Sequence, residues 1–137
     1  MRVGSRRILI IDEEKDRTEP LVMGLEQNGF QVNALNDPEV AVSKFRAGAY
    51  RLVICDISMR RMNGFEVCRE LKKIDSLTKV CFLTAFEIHE TEFRNLFPES
   101  EVSCFLDKTK PIGVLVQSII QLLSKDAGKL DQECTQS

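Results

Sequence analysis

The chain has 137 residues, 43% of them apolar, which suits one packed domain and leaves no room for a second. Nineteen Lys and Arg against 21 Asp and Glu give a formal charge of −2, so no basic field argues for nucleic acid and no like-charged run marks an interaction tail. Cysteines at 55, 68, 81, 104 and 134 form no C-x-x-C pair; they read as small core residues of a reducing cytoplasm, neither a disulfide frame nor a zinc site. The apolar run after Arg2, Arg6 and Arg7 is too short for a signal peptide or a membrane span.

In chain order, Ile8-Leu9-Ile10-Ile11 is an unbroken apolar run, the pattern of a strand buried on both faces. It ends in Asp12, Glu13 and Glu14, which read either as complements to the positive end of a following helix or as one wall of a pocket. That helix is expected over about Lys15 to Asn28, burying Leu21, Val22 and Leu25, with Gly29 as its C-terminal cap. Pro20 predicts a kink or a late start. Phe30, Val32 and Ala34 mark a more exposed strand. Asp37-Pro38 then opens a helix with Val40, Ala41 and Phe45 inward, ending near Gly48.

Leu52-Val53-Ile54-Cys55 is the second wholly apolar run, and Asp56 follows it at once. A carboxylate at the carboxyl end of a buried parallel strand stands in the crevice where open α/β sheets bind ligands; an isolated Asp there also simply starts turns. If the two acidic strand ends are neighbours, Asp12, Glu13 and Asp56 share a pocket. Three carboxylates so close raise one another's pKa unless a cation sits among them, and a hard divalent ion such as Mg²⁺ suits oxygen ligands. Asn63-Gly64 supplies a turn able to take positive φ, and Phe65, Val67, Cys68, Leu71 and Ile74 recur at helical spacing.

Val80 to Leu83 is another apolar strand ending in Thr84, whose hydroxyl either caps the next helix or donates to a phosphate oxygen. A polar helix is expected over 86–97, where His89 has no second ligand at metal spacing. Val102 to Leu106 is the fifth strand. Pro111 opens a last helix through about Ser124, with Ile112, Leu115, Val116, Ile119, Leu122 and Leu123 inward, and 126–137 reads as a polar tail. Five strands alternating with five helices imply a doubly wound α/β fold with a parallel sheet.

Taken together, Ile11-Asp12-Glu13-Glu14, Leu52 to Asp56 with Met59 and Met62-Asn63-Gly64-Phe65-Glu66, Leu83-Thr84-Ala85 and a lysine after the fifth strand resemble the receiver domains of two-component response regulators. The resemblance covers about residues 6–124. It implies a flavodoxin-like five-stranded parallel sheet in the order 2-1-3-4-5, with the receiver over 1–125. It also implies that Asp56 accepts a phosphoryl group from a histidine kinase or phosphotransfer protein. Asp12, Glu13, Asp56 and the backbone carbonyl of Ser58 would hold Mg²⁺; Thr84 and a lysine would bind phosphoryl oxygens; Thr84 and Phe105 would switch the surface read by a downstream protein.

Three positions depart from the family pattern: Glu13 for the usual Asp, Arg60 for the proline after Met59, and no proline directly after the lysine at the strand end. Phe105 stands at the family's spacing from Lys108, which favours Lys108 over Lys110 and predicts a trans bond to Thr109. The expectation is a cytoplasmic, stand-alone signalling protein rather than a turnover enzyme, without direct nucleic-acid binding or membrane insertion. A homodimer through the fourth and fifth helices fits the wide apolar face of the last one. The rivals are a phosphorylation-independent interaction module and an aspartyl-nucleophile phosphatase. The phosphatase lacks a second Asp at position 58, and no nucleotide-binding glycine motif is present.

Overall fold

The computed structural model describes residues 6–85, 95 and 102–136. The apolar runs become β1 (Arg7–Ile11), β3 (Leu52–Asp56), β4 (Val80–Thr84) and β5 (Val102–Asp107), joined by the more exposed β2 (Gln31–Leu35). All pairings are parallel, in the order β2-β1-β3-β4-β5. Among the described residues, four helices pack around this sheet: α1 (Lys15–Gln27), α2 (Pro38–Lys44), α3 (Gly64–Ile74) and α4 (Ile112–Gln136). The helix expected over 86–97 falls outside the described residues, apart from Asn95.

Alternation along the strands divides the core in two. Leu9, Ile11, Val53, Cys55, Val80 and Phe82 face α2 and α3, meeting Ala41, Phe45, Val67, Cys68 and Leu71. Ile8, Ile10, Leu52, Ile54, Cys81 and Leu83 face the opposite way, against Leu21 and Leu25 of α1 and Leu115, Ile119 and Leu123 of α4. Burial on both faces is why these strands read as continuous apolar runs instead of alternating ones.

Helix boundaries follow their capping chemistry. The Asp37 side chain accepts from the backbone N–H groups of Glu39 and Val40, and Pro38 occupies the first turn, where a missing N–H leaves no bond unmade. α2 stops at Lys44, short of the expected Gly48. Phe45 turns to extended backbone so that its ring stays in the core beside Tyr50, and Gly48 takes φ +73° in the turn that follows. Gly29, at φ +89°, closes α1 as expected. The expected late start of α1 does not occur: the helix begins at Lys15 and runs through Pro20. The carbonyl left without a donor belongs to Asp16, on the exposed surface, where water is available to it.

Two further expectations change. α4 continues to Gln136 where a loose polar tail was expected. No proline interrupts this stretch, and once a helix is nucleated each added residue gains a hydrogen bond, so continuation does not need an apolar face. Cys81 is disulfide-bonded, against the reading of reduced thiols throughout. Cys55 and Cys68 are free and buried, and burial beside Asp56 pushes the Cys55 thiol up.

Candidate functional site

The sheet order brings the carboxyl ends of β1, β3, β4 and β5 to one edge, and with them Asp12, Asp56, Thr84 and Lys108. Asp56 is the last residue of β3 and only 1% exposed; Asp12, just past β1, is equally buried. Such carboxylates need partners. Lys108 Nζ donates to Asp56 Oδ1 at 3.0 Å. Lys110 is exposed, and its backbone N–H donates to the Asp107 carbonyl. Geometry thus puts Lys108, not Lys110, on Asp56.

Lys108 is aimed by its neighbours. Its N–H donates to the Thr84 carbonyl (3.0 Å), extending the β4–β5 ladder past the last strand residue. Thr109, where the family has proline, donates both its N–H (2.9 Å) and its hydroxyl (2.5 Å) to Asp107 Oδ1. The hydroxyl and then the N–H hold the exposed Asp107 carboxyl below its usual range. A local side-chain turn therefore shapes this loop where the family uses a proline, and no described peptide bond is cis.

Asp12 is fixed by a backbone donor and by two contacts with the end of β2 and the residue after it. The Glu14 N–H donates to its Oδ1 (2.9 Å), Asn36 Nδ2 donates to its carbonyl (2.7 Å) and its own N–H donates to the Leu35 carbonyl. Its Oδ2 is buried without a hydrogen-bond partner. Burial, and then the charge of Asp56, raise its pKa to about 6 against the Glu14 N–H and Arg17. Burial also raises Asp56, opposed first by the Lys108 hydrogen bond. The two acids therefore feel each other.

Glu13 does not join them. Its Oε1 accepts from the Arg60 N–H at 2.9 Å, so the residue pair that departs from the family pattern is tied together across the mouth of the pocket. No group of three His, Cys, Asp or Glu stands close enough to hold a metal among the described residues. The orphaned Asp12 Oδ2 and the repelling Asp56 carboxylate still fit a hard divalent cation, which accepts oxygen ligands and keeps waters in its remaining positions. Ser58 lies in the tight exposed turn where the Met59 N–H donates to the Ile57 carbonyl. Phe105 is half-buried against Phe82, ring centroids 5.6 Å apart.

Asn63-Gly64, a pair able to take positive φ, does not use that freedom; Asn63 has φ −77° and closes a capping box with Glu66. Gly64 is needed for closeness instead. A Cβ there would lie 2.6 Å from the Asp56 carbonyl oxygen and 2.9 Å from Ile57 Cα. Helix propensity favours Ala over Gly by about 1 kcal/mol, but overpacking against backbone costs about 1–3. Gly64→Ala is therefore expected to lose about 1 kcal/mol net in urea denaturation, and a gain in stability would show the contact to be slack.

Sequence reasoning gave no role to Arg17 or Asn36. Arg17 had a signal of sorts, a cation in the first turn of the helix that follows Asp12. Asn36 had none, since its contact depends on the β2–α2 loop returning to β1.

Fold and site define a class. The chain belongs to the response regulator receiver domain family, matched over residues 8–120, the receivers of two-component systems. It is 34% identical over 84 residues to the transcriptional regulatory protein TcrA of Mycobacterium tuberculosis, covering 61% of this chain and 33% of TcrA. The chain spans about a third of the length of the first curated relatives it matches. Among solved structures, it is similar to the non-phosphorylated HemR receiver domain of Leptospira biflexa (TM-score 0.76, 21% identity, 88% of this chain and 95% of that one). It is also similar to the response regulator TrrA of Thermotoga maritima in complex with Mg²⁺ and beryllium fluoride (TM-score 0.69, 27% identity, 85% and 98%). No helix among the described residues is long and apolar enough to cross a membrane.

Proposed function

We propose that this chain is a phosphoacceptor: Asp56 takes a phosphoryl group from a phosphohistidine of a histidine kinase or phosphotransfer protein, and the altered surface is read by a downstream protein. The observation that carries the reading is the Asp56–Lys108 ion pair at the sheet edge, with a second buried carboxylate, Asp12, beside it. In the transfer, a carboxylate oxygen of Asp56 forms a bond to phosphorus while the phosphorus–nitrogen bond to the donor imidazole breaks, the imidazole leaving with the electron pair. The protein's task in such a loose transition state is placement and charge neutralisation. Lys108 sits on Asp56 Oδ1 and is positioned to follow the charge onto a phosphoryl oxygen. Thr84, at the end of β4, is the proposed donor to another. Asp12 and Asp56, with the carbonyl of Ser58 and Glu13 directly or through water, would hold Mg²⁺, which supplies further neutralisation of the transferred group. Glu13 would have to leave the Arg60 N–H to take part. Phe105 is the proposed switch aromatic; lacking a hydroxyl, it would respond through packing alone, as a shift between two populations.

Intact-protein mass after incubation with acetyl phosphate tests this, with and without Mg²⁺. Wild type is expected to gain one phosphoryl mass only with Mg²⁺, and Asp56→Asn to gain none. An equal gain in the variant would sink the assignment. The Glu13–Arg60 tie favours one other reading, an interaction module that works without phosphorylation; it would lead if neither phosphodonor nor kinase labels the protein.

A further inference from the structure

The buried carboxylates are flanked by two cations, and only one of them has a place in the chemistry above. Arg17 NH1 lies 3.6 Å from Asp12 Oδ2, too far for a hydrogen bond, and both atoms are buried without any hydrogen-bond partner. The other end of the guanidinium is engaged: NH2 donates to Glu14 Oε2 at 2.5 Å, and Glu14 is exposed. Arg17 itself is 23% exposed. Its charge acts on both acids, holding down the pKa of Asp12 and of Asp56. Among the described residues, two cations thus flank the two carboxylates, Arg17 on the Asp12 side and Lys108 on Asp56.

We infer that Arg17 is a built-in counter-ion of the acidic pair, one that a divalent cation must displace from Asp12 Oδ2, so that this side chain sets the protein's affinity for the metal. The inference rests on the metal-dependent reading of the site and deepens it. A dication entering beside Asp12 finds that carboxylate already partly offset by Arg17, and it meets a like charge at close range. The loose 3.6 Å contact makes displacement feasible: no hydrogen bond to Asp12 is lost, and the existing bond to the exposed Glu14 offers the guanidinium a way toward solvent. Arg17 is a positioning residue here; it touches neither a phosphoryl donor nor Asp56 directly.

Free Mn²⁺ measured by electron paramagnetic resonance, titrated into wild type, Arg17→Met and Arg17→Lys, reads the effect without any phosphoryl transfer. Removing one like charge at a partly screened site is expected to tighten Mn²⁺ binding by about tenfold in Arg17→Met. Arg17→Lys, which keeps the charge, is expected to stay within about twofold of wild type. Binding in Arg17→Met no tighter than wild type, or Arg17→Lys tightening as much as Arg17→Met, overturns the inference. A second reading needs no variant: the Nε resonance of Arg17 in wild type should shift on saturation with Mg²⁺, and metal that saturates without moving it overturns the displacement. The two proposals fail separately. A protein that follows the expected Mn²⁺ series but is never phosphorylated refutes the phosphoacceptor role alone; one phosphorylated at Asp56 with unchanged Mn²⁺ affinity in Arg17→Met refutes only the role of Arg17.

Discussion

Lys108→Met is expected to cost about 3 kcal/mol of unfolding free energy at pH 7, while Asp56→Asn leaves stability unchanged or raises it. The asymmetry follows from what each substitution strands. Without Lys108, the Asp56 carboxylate, with its side chain 2% exposed and Asp12 beside it, keeps its charge with no hydrogen-bonded cation. Breaking a buried pair in this way leaves an uncompensated charge in low dielectric. Without the Asp56 charge, the Lys108 ammonium is 13% exposed on a flexible stem and can reach water, and Asp12 loses its repelling neighbour. Urea denaturation of both single variants and the double variant measures the difference. The double variant should recover most of what Lys108→Met loses, and the loss should shrink as pH falls, because burial raises the Asp56 pKa above its usual range. Equal losses in the two single variants would mean that Lys108, not the acid pair, is the strained member.

Asp12→Asn is expected to stabilise the protein at neutral pH by up to about 3 kcal/mol in the absence of divalent metal. The Asp12 pKa of about 6 lies above its ordinary value of 3.8, so the folded protein holds this proton more tightly than the unfolded chain does. For an acid raised on folding, the penalty is absent below about pH 4, grows as pH rises toward 6 and is complete above it. Melting temperatures of wild type and variant should therefore coincide near pH 4 and diverge toward pH 7, with the variant higher. Mg²⁺ should then raise wild type and leave the variant nearly unmoved. A variant less stable than wild type at pH 7 without metal would show that Arg17 compensates Asp12 more fully than its 3.6 Å contact suggests.

The strands and their edge of the sheet were legible because burial on both faces leaves a blunt signature: Ile8 to Ile11, Leu52 to Cys55 and Val80 to Leu83 contain no polar residue. The positions of Asp12 and Asp56 at one edge followed from those runs and from parallel order. What escaped depended on reach and rotamer. Glu13 has an arm long enough for either a metal or the Arg60 N–H, and sequence carries no information on which it takes. Gly64 read as a turn glycine because Asn-Gly commonly marks one, whereas here the demand is contact with the Asp56 carbonyl across a loop. The continuation of α4 past Ser124 was missed because the sequence there carries no apolar periodicity, which is the signal that marked the helix up to Ser124.

The strand order has a consequence for how the chain acquires its structure. β1 lies second in the sheet, so Ile8, Leu9, Ile10 and Ile11 have a neighbour on one side as soon as β2 forms but on the other only when Leu52 to Cys55 arrive. Every pairing is parallel, and none can be closed by a hairpin, so each requires a crossover to be completed first. A chain growing from its N-terminus therefore carries the stickiest of its edges unpaired until β3 has emerged. Up to that point it is a candidate for chaperone capture or misassociation rather than a stable folding unit.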